Sequence, residues 1–231
     1  MYLYDLLPMN RQLLLDVQMR EYSGVAAATI YDHSRSHIPL LLHGATITWA
    51  QNANFLNYLD LEAGTPDWLD ASAVATAALD FVAGAFTLAT WLNFESVGFR
   101  YIMDRGLEDA DGWGWAIDTD SALWLETSQA GAHQHSTSAA GAIPLATWTF
   151  AVAVRSGAAV TFYVNGLPSY GTAATHVNPL TSARELHIGI NNAEAAGFMD
   201  GILWRPRIWG RALTAAEVAQ IYRVERGMLG V

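Results

Sequence analysis

Cysteine is absent from this chain of 231 residues, and so is lysine: all twelve basic residues are arginine. Without thiols, neither a disulfide framework nor a thiolate-held metal is available. The arginines are scattered rather than gathered into a stripe, so no nucleic-acid partner is expected. Acidic residues outnumber them, and the formal charge of −10 favours solubility. No uninterrupted apolar run reaches the roughly 20 residues a spanning helix needs, which argues against membrane insertion. The first ten residues contain an Asp and no Lys or Arg, which argues against a secretory leader and for synthesis in a cytoplasm. Nucleophile elbow, phosphate loop, dinucleotide fingerprint and zincin motif are all missing. So is any N-x-Ser/Thr acceptor.

What the chain does have is apolar and aromatic. Apolar residues make up 52%, with nine Trp, nine Tyr and eight Phe. A fully buried ring contributes about 1.5–3 kcal/mol. One large domain can therefore build its core unaided, and disorder is excluded for most of the chain.

Period-2 patterning dominates after about residue 80. Phe86, Leu88, Leu92 and Phe94 share one face of a strand. Trp148, Phe150, Val152 and Val154 share a face of another, and Val160, Phe162 and Val164 of a third. Arg155-Ser-Gly-Ala and Asn165-Gly166 supply the turns between them. Further strands are expected at 100–104, 114–118, 122–126, 185–190 and 201–209. Pro206 cannot donate to a ladder, so the last of these is predicted to be interrupted or to lie at an edge. The region 63–84 reads as a loop with a short helical turn. Residues 1–12 form an apolar arm containing Tyr2, Leu3, Tyr4, Leu6 and Leu7, ahead of a first strand at 13–17. The arm either docks on a partner or completes the sheet.

Near the C-terminus, Thr214 and Glu217 stand in capping-box relation. Val218, Ile221 and Tyr222 then fall on one stripe of a short helix. The expected fold is all-β, a two-sheet antiparallel jelly-roll sandwich with that helix as a terminal clasp. Its boundaries are 13–223, followed by a tail at 224–231.

An ordered set of motifs resembles the laminin G-like, concanavalin A-like jelly roll of bacterial and viral proteins. The set begins with Ile30-Tyr-Asp-His-Ser34 and Phe86-Thr-Leu-Ala-Thr-Trp91. Ile102-Met-Asp-Arg-Gly106 and Gly112-Trp-Gly-Trp115 follow, then Trp148. Phe162-Tyr-Val-Asn-Gly166, Leu186-His-Ile-Gly189, and Gly201 with Arg211-Ala-Leu-Thr214 complete it. The resemblance covers roughly residues 13–223. It implies a structural calcium ion at the sandwich rim in many relatives. Here Trp204 and Arg205 occupy positions where relatives carry acids, and Asn54-Phe-Leu-Asn-Tyr58 replaces an acidic turn. No cofactor is therefore expected, with calcium the disfavoured alternative.

Candidate chemistry is sparse. Two carboxylates about 5–9 Å apart would serve a glucanase, and the nearest pairs are Asp60/Glu62 and Asp118/Asp120. The first lacks a third acid and the second reads as a hairpin turn. Glu108-Asp109-Ala-Asp111-Gly112 is a fragment of a calcium loop without its closing Glu, better read as a hairpin tip. His133 and His135 alternate onto one face but show no third ligand. Trp113, Trp115 and Trp124 are candidates for a sugar-stacking platform, against the competing reading of aromatic core filling. Asp109 and Asp111 join them as candidate contacts.

No catalysis is expected. The favoured function is a non-catalytic virion surface protein, such as a bacteriophage capsid-decoration, spike or tail subunit, acting in particle assembly, stabilisation or host adhesion. That reading implies protein partners in the assembly, a homo-oligomer and a virion location. The alternative is a carbohydrate-binding, lectin-like module at a bacterial surface, with glycans as partners. A glucanase-like hydrolase is the remote third.

Overall fold

Turn residues recur every few positions from residue 100 onward, and each one reverses a strand. The structure, a computed structural model, describes residues 8–19, 29–44, 48–51 and 56–231. Tyr2, Leu3, Tyr4, Leu6 and Leu7 lie outside the described residues.

Two antiparallel sheets face one another. The back sheet runs in the order β14 (Leu167–Ser169), β13 (Ala159–Val164), β12 (Trp148–Ser156), β7 (Phe86–Phe94), β16 (Gly201–Trp209), β5 (Asn57–Leu61), β4 (Thr48–Gln51). A further strand, β1 (Leu13–Asp16), also pairs with β16. The front sheet runs β11 (Ala132–Thr137), β10 (Leu123–Gln129), β9 (Asp111–Ile117), β8 (Arg100–Leu107), β15 (Leu186–Ile188), β6 (Trp68–Ala71), β3 (Pro39–His43), β2 (Thr29–Tyr31). Phe86, Leu88, Leu92 and Phe94 are fully buried together, as their alternation predicts. At the tip joining β13 to β14, Asn165 and Gly166 have φ of 51° and 79°, the pair of positive angles a type I′ hairpin demands.

Two expectations need correcting, and that for the last strand holds in its first alternative. The region 63–84 contains β6, an interior strand of the front sheet, as well as a 3-10 turn at Ala77–Leu79. Its short apolar stretch was hidden by the flanking Gly, Pro and Ala. Strand β16 is interrupted at Pro206 but is not an edge: it pairs with β7 on one side and with β5, then β1, on the other. Arg205 adopts a φ of 58° at the bulge, and the proline sits where the partner changes, so its missing N–H costs no ladder bond. Finally, the segment 224–231 is not a loose tail. Helix α1 spans Ala215–Leu229, and Glu225 and Leu229 are buried.

The capping box forms as predicted: Glu217 N donates to the Thr214 hydroxyl, and Thr214 N donates to the Glu217 carboxylate. Val218 and Ile221 are buried against the back sheet, and Tyr222 stacks on Trp91 with ring centres 5.6 Å apart. Beneath the helix, Glu225 accepts hydrogen bonds from Arg205, Arg207 and Trp91 at 2.6–2.9 Å. Arg205 also reaches Asp16 at 3.0 Å. The departure from the acidic pattern at 204–205 thus has a structural result: an arginine bolts β16 to β1 and α1.

Candidate functional site

The outer face of the front sheet carries the titratable side chains. One cross-strand row reads His135, Glu126, Gly114, Asp104, His187 and Asp70 from β11 to β6. The adjacent row is Thr137, Trp124, Ala116 and Tyr101. Gly114 is what lets these rows come together. A Cβ there would stand 3.2 Å from Asp104 Oδ1 and 3.3 Å from Tyr101 Cε1.

Above this floor lies a cavity of about 430 Å³, within the size range of small-ligand sites. Phe99, Tyr101 and Trp124 form its apolar wall, while Glu108, His133 and His135 form its polar side. Phe99 meets Trp124 edge-on at 5.2 Å, and His135 stacks on Trp124 at 5.8 Å. A strap over residues 191–197 closes the remaining side through Asn191, Ala196 and Gly197. It is tied down where Asn192 N donates to Asp104 Oδ2 at 2.6 Å and Tyr101 N donates to Gly197 O at 2.8 Å.

Electrostatics follow from burial. Glu126 is 4% exposed, and desolvation pushes its carboxyl up to about 7, against the Ser128 hydroxyl that donates to Oε1 at 2.8 Å. Its second oxygen, Oε2, is buried without a hydrogen-bond partner among the described residues. Asp104 is likewise held well above the usual carboxylate range by burial. The imidazole of His133 is raised, chiefly by the hydrogen bond between Nδ1 and Asp109 Oδ1 at 2.8 Å. Burial raises the Tyr101 hydroxyl, so it stays neutral. The cavity therefore offers an aromatic wall and a neutral phenol, with the Glu126 carboxyl buried in the sheet beneath it.

The sequence candidates separate sharply here. Trp124 lines the cavity. Trp113 and Trp115 do not: they project from β9 into the sandwich core, 2% and 0% exposed. Trp113 donates its indole N–H to Leu79 O at 3.0 Å. A platform built on those two is corrected to core filling, because their shared face is the inner one. Asp109 stands at the cavity edge on His133, whereas Asp111 lies 3.9 Å from Arg184. His133 and His135 do share a face, with rings 5.9 Å apart. Glu108 and Glu126, from a neighbouring turn and strand, hold donor atoms within 4.8 Å of each other and of His133, but His135 is not part of that group.

The pair Asp60/Glu62 gains the third acid it lacked, Glu95, at the far rim. Burial raises Asp60 first, with Asp200 and Asp67 adding repulsion. Asp118 and Asp120 cap their own turn through Thr119 N and Ala122 N, as a hairpin predicts. Residues 54 and 55 of the segment replacing the acidic turn lie outside the described residues.

Comparison with known proteins fits this architecture. A family model described as the Concanavalin A-like lectin/glucanases superfamily matches residues 69–219. No curated protein matches by sequence. Among solved structures, the receptor binding domain of botulinum neurotoxin C/D mosaic serotype superposes with a TM-score of 0.68 at 12% identity, covering 94% of this chain and 52% of that one. The binding domain of botulinum neurotoxin DC in complex with rat synaptotagmin II gives 0.67 at 12%, with the same coverage. A structure titled for the dependence of botulinum neurotoxin type C cell entry on two ganglioside molecules gives 0.67 at 14%, again with 94% and 52% covered. The chain thus spans about half the length of these solved chains.

Proposed function

Since the chain belongs to the Concanavalin A-like lectin/glucanases superfamily, we propose that it is a non-catalytic binding module whose ligand is a glycan held in the front-sheet cavity. The observation that carries this reading is the cavity's two-sided lining. A sugar ring has an apolar C–H face and a rim of hydroxyls. Trp124, Phe99 and Tyr101 suit the first; Glu108, His133 and His135 suit the second. Solved relatives of the same fold add support, one complexed with synaptotagmin and one titled for gangliosides. Catalysis is disfavoured by access. Asp104 and Glu126 flank Gly114 as an acid pair, but Asp104 is covered by the strap amide and does not line the cavity.

A glycan array followed by titration calorimetry tests this. Binding is expected for the wild type, with a loss of at least about tenfold, ~1.4 kcal/mol, in Trp124→Ala. A blank array, or binding indifferent to Trp124, would sink the glycan site. Turnover of the bound glycan that disappears in Glu126→Gln would replace the binding module with a hydrolase.

Residence on a virion or other surface assembly is the second reading. It rests on the apolar residues 1–7, which precede a root fixed where Trp209 Nε1 donates to Met9 O at 2.8 Å and Arg211 Nε to Arg11 O at 2.9 Å. Deleting residues 1–7 should leave the domain folded and lower its mass in light scattering. An unchanged mass would count against assembly through the arm.

A further inference from the structure

The front-sheet row continues beyond the cavity to a second cluster, on β3, β6, β15 and the strap. Asp70, Glu185 and His187 hold donor atoms within 4.8 Å of one another. His43 Nε2 contacts Asp70 Oδ2, and His187 Nε2 lies 3.3 Å from Glu194 Oε1. Register explains the gathering. His187 lies opposite Asp70 across the β6–β15 ladder, and His43 lies opposite Trp68, one outward position along β6.

Two features separate this cluster from an ordinary polar surface. The first is a buried imidazole whose nearest polar neighbour is the Glu194 carboxylate, 3.3 Å from Nε2. His187 is 2% exposed, and neither ring nitrogen makes a hydrogen bond among the described residues. The second is uncompensated charge. Three carboxylates surround the ring, and no arginine among the described residues forms an ion pair with any of them. By contrast, the acids beneath α1 are matched to arginines.

We propose that Asp70, Glu185 and His187, with His43 and Glu194 at the margin, form a binding site for a divalent first-row transition ion, zinc in first place. Imidazole nitrogens with carboxylate oxygens suit zinc, whereas an all-oxygen set would suit calcium or magnesium. Four ligands about 2 Å from a zinc ion stand roughly 3.3 Å from one another. His187 Nε2 and Glu194 Oε1 already stand at that spacing, and the exposed side chains of Glu185 and Glu194 have the freedom to close on an ion. Glu194 belongs to the strap that walls the cavity, so the ion would pin that wall to the sheet.

The test uses the full chain, stripped with EDTA and titrated with zinc chloride by calorimetry. One equivalent is expected to bind, raising Tm and slowing amide exchange over residues 190–197. The exposed-side variants Glu185→Gln and His43→Gln should keep the metal-free Tm while weakening zinc at least about tenfold. The absence of heat and Tm shift with zinc, manganese or nickel at ~1 mM would overturn the proposal. So would binding that survives both variants but is lost in Glu108→Gln, since that places the ion in the aromatic cavity instead.

Discussion

The two sheets bury charge on their outer faces in opposite ways. Under α1, Glu225 receives four hydrogen bonds, three from two arginines and one from Trp91. On the front sheet, Glu126 is as deeply buried but keeps one oxygen unbonded, and His187 keeps both nitrogens unbonded. The first arrangement neutralises its acids and serves the fold. The second leaves the Glu126 Oε2 and His187 ring nitrogens without hydrogen bonds among the described residues, at a cost that a bound ligand or ion would relieve.

The strongest way to break the contrast is to remove one acid from each face. Glu225→Ala strands the buried Arg207, while Arg205 keeps Asp16, and should cost about 3–5 kcal/mol in urea unfolding. Glu126→Gln at pH 7 should change stability by less than about 1 kcal/mol, because no arginine depends on it. Equal losses would erase the distinction. Tryptophans sharpen it next. Trp113→Ala should destabilise the core by about 3–5 kcal/mol, with ligand affinity reduced only as far as folding is. Trp124 is also buried, against Phe99, Tyr101 and His135, so Trp124→Ala should cost stability too, but should lower ligand affinity at least about tenfold beyond what folding explains.

Titration gives a smaller effect with opposite signs on the two faces. Glu126 titrates near 7 in the fold, above its ordinary 4.5, so the native state holds the proton longer than the unfolded chain. Its contribution to stability falls as pH rises from about 4.5 through about 7, and Glu126→Gln should remove that fall. Glu217 is pulled down to about 2, first by Arg211. Its contribution is present above about 4.5 and is lost as pH falls towards 2. Smallest of all, Thr214→Ala should cost about 1 kcal/mol through the lost cap, measured as a drop in Tm.

Much of the frame was legible from local pattern. Alternation along β7 and β12, the Asn165-Gly166 turn and the Thr214/Glu217 box each act over a few residues, so each could be read before folding. The motif order from Phe86 onward carried the family. The binding face was only half legible. Trp124 and the His133/His135 pair were visible, yet Trp113 looked equally suitable, because period two shows that residues share a face without showing which face. Glu126 and His187 carried no local signal, since each acquires its meaning from a neighbouring strand or turn.

By itself, the sequence determined the sandwich, its helical clasp and the stock of aromatic and acidic side chains, because hydrophobic period, turns and caps are short-range properties. Only the tertiary structure decided which acids would be paired and which left open. Arg205 meets Asp16 across a separation of 189 residues, and Asp70 faces His187 on a strand formed more than a hundred residues later. Such pairings arise from ladder register between distant segments, and register is set when the two sheets bury their inner faces together.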